Sequence, residues 1–318
     1  MITNHTIRRA ILPTLVWGLS FGQSVPNEGP GAPPPIKVDV DVVNVLCTVY
    51  DKHGVLVKDL RKEDFEVLEN GRKQEIRYFA RDTDLPLTVA LLVDVSGSVR
   101  DFVDKEKGAA LQFLESVLRP TDQAVLMGFS STIILWRDFT SSPELLRIAL
   151  ARLRPIPFRG LLPDGTTPST LLYDAVLMAA NEKLKDVSGR KAMVIVSDGL
   201  DNGSHNHLDA AVGALESTNT ISYGICYEGK FSGCSFLKDL SEPTGGRMFE
   251  AGKKVPLSKI FQIIEEEMRS QYALGYVPSD RARDGKFRKL EIKLHPKGLR
   301  VRARKGYYTE QLPAANQK

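Results

Sequence analysis

The sequence predicts an α/β protein: a doubly wound, mostly parallel sheet, inserted in or flanked by a small antiparallel β-sandwich built from N- and C-terminal segments. Three observations predict it. Between about Leu87 and Arg269, short apolar runs alternate with stretches of helical spacing, the rhythm of strand–helix–strand units. On either side, from Ile36 to Phe79 and from Tyr272 to Ala303, the apolar period falls to two, the mark of half-buried strands. The run Val89-Ala90-Leu91-Leu92-Val93 is unbroken, which suits a strand buried on both faces, and the chain continues into Asp94, Ser96 and Ser98.

Taken in order, residues 1–22 carry a basic start (Arg8, Arg9), an apolar stretch and small residues at Ser20, Gly22 and Ser24. This is the pattern of a secretory signal peptide, and the apolar run is shorter than the ~20 residues a membrane span needs. The expected location is secreted or periplasmic, with no stable membrane insertion after cleavage. Residues 23–35, rich in Pro and Gly, are expected to be a disordered linker. Residues 36–82 form the N-terminal part of the sandwich. Their strand phase slips near Val42-Val43, Asp51-Lys52-His53-Gly54 turns, and Glu69-Asn70-Gly71-Arg72 is a hairpin signal between Phe65–Leu68 and Ile76–Phe79.

The α/β domain is expected over 86–270. After the Leu87 strand come a helix with Phe102, Ala109, Ala110, Phe113, Leu114 and Val117 at helical spacing, stopped by Pro120, strands at Gln123–Phe129 and Thr132–Trp136, and a helix at Pro143–Leu153 capped by Ser142. A Pro- and Gly-rich loop, Pro155 to Ser169, leads to a helix at Thr170–Leu184, and Val194–Ser197 is another buried strand. Leu208–Ser217, Ile221–Cys226, Phe236–Leu240 and Leu257–Arg269 read as helix, strand, helix and long helix. Residues 271–308 are expected to complete the sandwich with three strands, and 309–318 to be a disordered tail.

Ligands of open α/β sheets sit at the carboxyl ends of strands, where Asp94, Ser96 and Ser98 fall. One carboxylate and two hydroxyls are hard donors, suited to Mg²⁺, with Mn²⁺ or Ca²⁺ as alternatives. Asp-x-Ser-x-Ser in this place resembles the metal-ion-dependent adhesion site of von Willebrand factor type A domains. Two further segments carry the resemblance: Thr170-Leu171-Leu172-Tyr173-Asp174-Ala175, and Val194-Ile195-Val196-Ser197-Asp198-Gly199 with Asp201-Asn202 following. The resemblance implies metal ligands at Asp94, Ser96, Ser98, Thr170 and Asp198. Thr166 and Thr167 lie close by, and the spacing to Tyr173 favours Thr170. Such sites leave a coordination position for an Asp or Glu of a protein partner, which implies an adhesion module rather than an enzyme. The segments Glu63–Gly71, Gln271–Tyr276, Gly285–Lys289 and Val301–Tyr307 are similar to secreted VWFA-related proteins known from Acidobacteria.

A formal charge of +4 over 318 residues, with 42% apolar and 26% charged residues, is ordinary globular composition and does not point to a nucleic-acid partner. Segment 280–305 holds eleven Lys or Arg against three acidic residues, read first as outward positions on strands that aid solubility and guard against edge pairing, and second as a surface for anionic envelope polymers. Absence of a G-x-S-x-G elbow, an H-E-x-x-H helix and a P-loop leaves enzyme readings without a motif. A metal-assisted hydrolase of the cell envelope remains the alternative class. His205-Asn206-His207 reads as a solvated loop, Cys47 as a buried thiol, and Cys226 with Cys234 as a candidate disulfide in an oxidising compartment.

Overall fold

The computed structural model describes residues 42–81, 85–97, 100–154, 169–227 and 233–309, with the backbone alone for 100–106. The expected signal peptide, the linker, the start of the opening strand, the loop that delivers Thr170 and nearly all of the tail lie outside the described residues.

The chain opens with β1 (Val43–Tyr50), β2 (Phe65–Glu69), β3 (Arg72–Gln74) and β4 (Ile76–Arg81). Asn70 and Gly71 both adopt positive φ, 48° and 78°, the twist a two-residue hairpin needs. That hairpin differs from the expected one. Its second strand is β3, with Glu69 opposite Arg72, and the chain then crosses to another sheet, where β4 pairs with a C-terminal strand. A three-residue strand carries no periodicity of its own.

The α/β region follows as β5 (Leu87–Asp94), α1 (Arg100–Val117), β6 (Gln123–Phe129), β7 (Ile133–Thr140), α2 (Pro143–Arg152) and α3 (Leu172–Met178). It continues as β8 (Arg190–Ser197), α4 (Leu208–Ser217), β9 (Thr220–Tyr227), α5 (Cys234–Ser241), β10 (Met248–Ala251) and α6 (Leu257–Arg269). The helix expected to reach Leu184 does so, but its last six residues, Ala179–Leu184, form a π-helical turn. The edge strand β7 runs to Thr140, beyond the expected Trp136, and the four-residue β10 was not anticipated.

These strands form one six-stranded sheet in the order β10-β9-β8-β5-β6-β7, parallel except for β7. Alternate residues of β5 explain why its sequence is continuously apolar. Leu91 and Val93 pack with Phe113, Leu146, Ile260 and Phe261 of α1, α2 and α6, while Ala90 and Leu92 pack with Leu172, Val176, Leu215 and Leu237 of α3, α4 and α5. From β5 the chain proceeds to β6 on one side, and from β8 to β9 on the other. Neighbouring β5 and β8 therefore flank the point where the winding reverses, and the crevice at their carboxyl ends is the position such folds use for ligands.

β11 (Tyr272–Tyr276), β12 (Phe287–Leu294), β13 (Arg300–Ala303) and β14 (Gly306–Tyr308) complete two four-stranded sheets, β13-β1-β11-β4 and β14-β12-β2-β3. The chain leaves the first of these at Arg81 and returns opposite it at Tyr272, so the α/β segment is inserted between adjacent strands. Val45, Cys47, Tyr272 and Leu274 of one sheet meet Phe65, Val67 and Leu290 of the other in a shared core. Cys47 is a buried free thiol there.

The basic strands correct one expectation. Arg288 points inward and pairs with Asp280 (3.0 Å) and Asp284 (3.2 Å), while Arg302 faces Glu267 of α6 at 3.9 Å. Lys289 and Lys293 do alternate outward as expected. Among the described residues no helix is long and apolar enough to cross a membrane.

Candidate metal centre

Asp94 ends β5 with no exposed surface. Its Oδ1 accepts the Ser96 amide at 2.8 Å, and its Oδ2 accepts the Ser197 hydroxyl at 2.7 Å. Ser197 in turn accepts the Gly199 amide at 3.0 Å, so one hydroxyl on β8 orients both Asp94 and the loop that carries Asp198. The Asp198 side chain accepts the Leu200 amide at 3.1 Å, and the residue is 8% exposed. Ser98 lies outside the described residues.

Thr170 reaches this loop from a different segment. Its amide donates to Asn202 Oδ1 at 2.6 Å and its carbonyl accepts the Asn202 amide at 3.3 Å. The first turn of α3 is capped by the same loop: Tyr173 N donates to Asp201 Oδ2 (2.9 Å) and Asp174 N to Ser204 Oγ (3.1 Å). Helix amides without intrahelical partners need such acceptors, and here they come from about thirty residues away rather than from a local cap. Asp174 returns the contact by accepting from the amides of His205 (2.9 Å) and Asn206 (3.1 Å) and from Asn206 Nδ2 (2.8 Å). Burial alone would raise the Asp174 pKa, but these donors hold it at about 2. The exposed His205 ring also meets Asp174, at 3.1 Å. No cluster of three or more His, Cys, Asp or Glu suited to a metal occurs among the described residues, so hydroxyls would have to contribute to any such site.

The electrostatics suit a cation. Burial pushes the Asp94 carboxyl up from its ordinary 3.8 to about 6, against the hydrogen bonds from Ser96 and Ser197, and the neighbouring Asp198 pushes the same way. Two buried carboxylates thus lie near enough to repel each other, and no ion pair among the described residues involves either of them. Ser130, at the end of β6, adds a buried hydroxyl without a hydrogen-bond partner, while its carbonyl accepts the Leu171 amide at 2.9 Å. Carboxylates and hydroxyls carried at the ends of neighbouring strands are the donor types of a hard divalent ion.

Sequence reasoning missed the roles of Ser197, Asp201, Asn202, Ser204 and Ser130. The run Asp201-Asn202-Gly203-Ser204 has the composition of a loop whose side chains bond backbone amides, which was the available signal. It did not say which amides. Packing completes the loop's seat, because a Cβ on Gly203 would fall 2.3 Å from Ser169 Cβ.

Residues 89–200 match the family model of the von Willebrand factor type A domain. No curated protein matches the chain. Among solved structures it is similar to proximal thread matrix protein 1 of the mussel byssus, at 15% identity and a TM-score of 0.50 over 72% of this chain and 50% of that one. A structure of the byssus protein with a zinc occupied MIDAS motif gives 15% identity and a TM-score of 0.50, over 63% and 49% of the two chains. The chain thus spans about half the length of the byssus protein. The vWF domain of the type V pili tip protein Mfa5 from Porphyromonas gingivalis is 12% identical, with a TM-score of 0.47 over 58% of this chain and 95% of that one. At these identities the likeness is one of fold.

Proposed function

The chain carries a von Willebrand factor type A domain, and from that premise we propose that it is an exported, divalent-cation-dependent protein-binding module whose ion is completed by a carboxylate of its partner. The observation that carries the reading is a pair of buried carboxylates, Asp94 and Asp198, close enough to repel each other at the ends of neighbouring strands, with no ion pair to either among the described residues. Asp94, Ser96, Ser98, Thr170 and Asp198 would hold the ion, Mg²⁺ first and Mn²⁺ or Ca²⁺ as alternatives. Zinc in the corresponding motif of the byssus protein supports a divalent ion in such a fold. Once bound, the ion supplies an electrophilic position open to an Asp or Glu.

The chain's own groups do the rest. Ser197 fixes the orientation of Asp94, the Ser96 amide holds its other oxygen, and Asn202 holds the backbone of Thr170. The proposed ligand set brings two carboxylates to the ion, which leaves it able to attract a third from outside.

A pull-down from envelope extract is expected to capture a protein in Mg²⁺ and to lose it in chelator or with an acidic competitor peptide. A turnover screen on esters and phosphates, run beside it, is expected to stay at background. Chelator-insensitive capture, or metal-dependent turnover, would overturn the reading.

Proton competition gives a second expected outcome. The ligand form of Asp94 is the carboxylate, so Mg²⁺ affinity should be level above pH 7 and fall by roughly tenfold per unit below about pH 6. Calorimetric titration between pH 5 and 8 checks this. A flat profile through that range would show that Asp94 does not bind the ion.

A further inference from the structure

We infer that the Cys226–Cys234 disulfide is a positioning element of the metal centre, holding Gly233 against the loop that carries Asp198. The inference rests on the metal reading above. Cys226 stands in β9 directly beside Ser197 of β8, and Cys234 is the first residue of α5. The bridge between them, with Cα atoms 5.5 Å apart, ties the start of that helix to the strand next to the site.

What it ties down is in direct contact with Asp198. The Gly233 amide donates to the Asp198 carbonyl at 2.7 Å, and Cys226 Sγ lies 3.7 Å from the same oxygen. The two backbones touch. A Cβ on Gly199 would fall 2.4 Å from the Gly233 carbonyl oxygen, and one on Gly233 would fall 2.3 Å from that of Gly199. Asp198 is thereby gripped from two sides, by Ser197 through the Gly199 amide and by Gly233 through the Asp198 carbonyl.

A carboxylate helps to bind a metal only when it is already in place, because any freedom it has in the free protein must be given up on binding. The disulfide keeps Cys234, and with it Gly233, anchored to β9 beside the site. Without the bridge, the Asp198 loop loses one of its two grips while the fold keeps its core.

The test compares Mg²⁺ affinity by calorimetry, well below the unfolding temperature, for four proteins with circular dichroism as the folding control. The first is wild type. The second combines Cys226→Ala with Cys234→Ala and removes the bridge. The third is Gly233→Ala, which keeps the bridge; φ at Gly233 is −88°, so what is violated is the close approach to the Gly199 and Leu200 backbone. The fourth, Leu290→Ala, destabilises the remote sandwich core without touching the site.

Both clamp variants should bind Mg²⁺ about tenfold more weakly, and Leu290→Ala within about twofold of wild type. Should the double variant fail to fold, Gly233→Ala decides. Wild-type affinity in the folded clamp variants would overturn the inference while leaving the metal reading intact. An equal loss in Leu290→Ala would reduce the effect to general stability and overturn it as well. If wild type itself binds no Mg²⁺, the metal reading fails and this inference fails with it.

Discussion

Asp94→Asn is expected to weaken Mg²⁺ binding by about 100-fold, or about 2.7 kcal/mol, and to leave the ion-free protein at least as stable as wild type. Both halves follow from the same burial. Attraction to a hard cation comes chiefly from the carboxylates, so a neutral isostere at Asp94 removes half of that charge. In the absence of an ion, however, the charge is a burden. The unfolded chain ionises near 3.8 and the folded chain near 6, so stability contributed by this group declines as pH rises from 3.8 through 6 and is level above. The displacement corresponds to about 3 kcal/mol, an upper bound on what the asparagine regains at pH 7. Ser96→Ala, which removes only a neutral hydroxyl, should cost about tenfold in affinity and be rescued by more metal. Calorimetry of Mg²⁺ binding beside urea unfolding separates the two effects. A large stability loss in ion-free Asp94→Asn would mark the residue as a structural group.

Glu267→Ala should be the most damaging single change away from the site. Glu267, on α6 and 1% exposed, pairs with Arg247 just before β10 and faces Arg302 of β13 at 3.9 Å. The two guanidinium groups lie over the Tyr50 ring at 5.9 and 5.2 Å, so one carboxylate organises the seam between the inserted α/β segment and the first sandwich sheet. Burial holds the Glu267 pKa above its usual range despite the cations, so the cluster gives little net gain over an apolar seam. Breaking it is another matter. Removal of the carboxylate leaves two part-exposed guanidinium groups without their counter-ion, and the expected loss is about 2 kcal/mol. Urea unfolding of the whole chain measures it, and a loss under about 1 kcal/mol, the scale of exposed pairs, would contradict the account.

The sequence made the α/β core legible because each of its strands and helices is long enough to show its period. Leu87–Asp94 and Leu257–Arg269 could be read in isolation. The short strands β3, β10 and β14 cannot, since three or four residues contain no repeat, and this is why the sequence pattern alone joins the Asn70-Gly71 hairpin to β4. At the site, the motif letters placed Asp94 and Asp198 at strand ends, which neighbouring β5 and β8 bring side by side.

Their burial was not legible. Strand ends in such sheets are usually open, whereas Asp94 is fully buried and accepts from the Ser96 amide and the Ser197 hydroxyl. Nor were the partners of Thr170 and α3, which come from residues 201 to 204, at separations no local pattern records. The inward arginines of the basic strands were misjudged for the same reason: alternation tells which face a residue takes, but not that Asp280, Asp284 or Glu267 waits there.

The most direct test of the central claim is anomalous diffraction from crystals of the protein soaked in Mn²⁺. The account predicts a peak in the crevice between the ends of β5 and β8, ringed by the side chains of Asp94, Ser96, Ser98, Thr170 and Asp198, and its loss in Asp94→Asn. A crevice without manganese in soaked crystals, or a peak that persists unchanged in the folded variant, would contradict it.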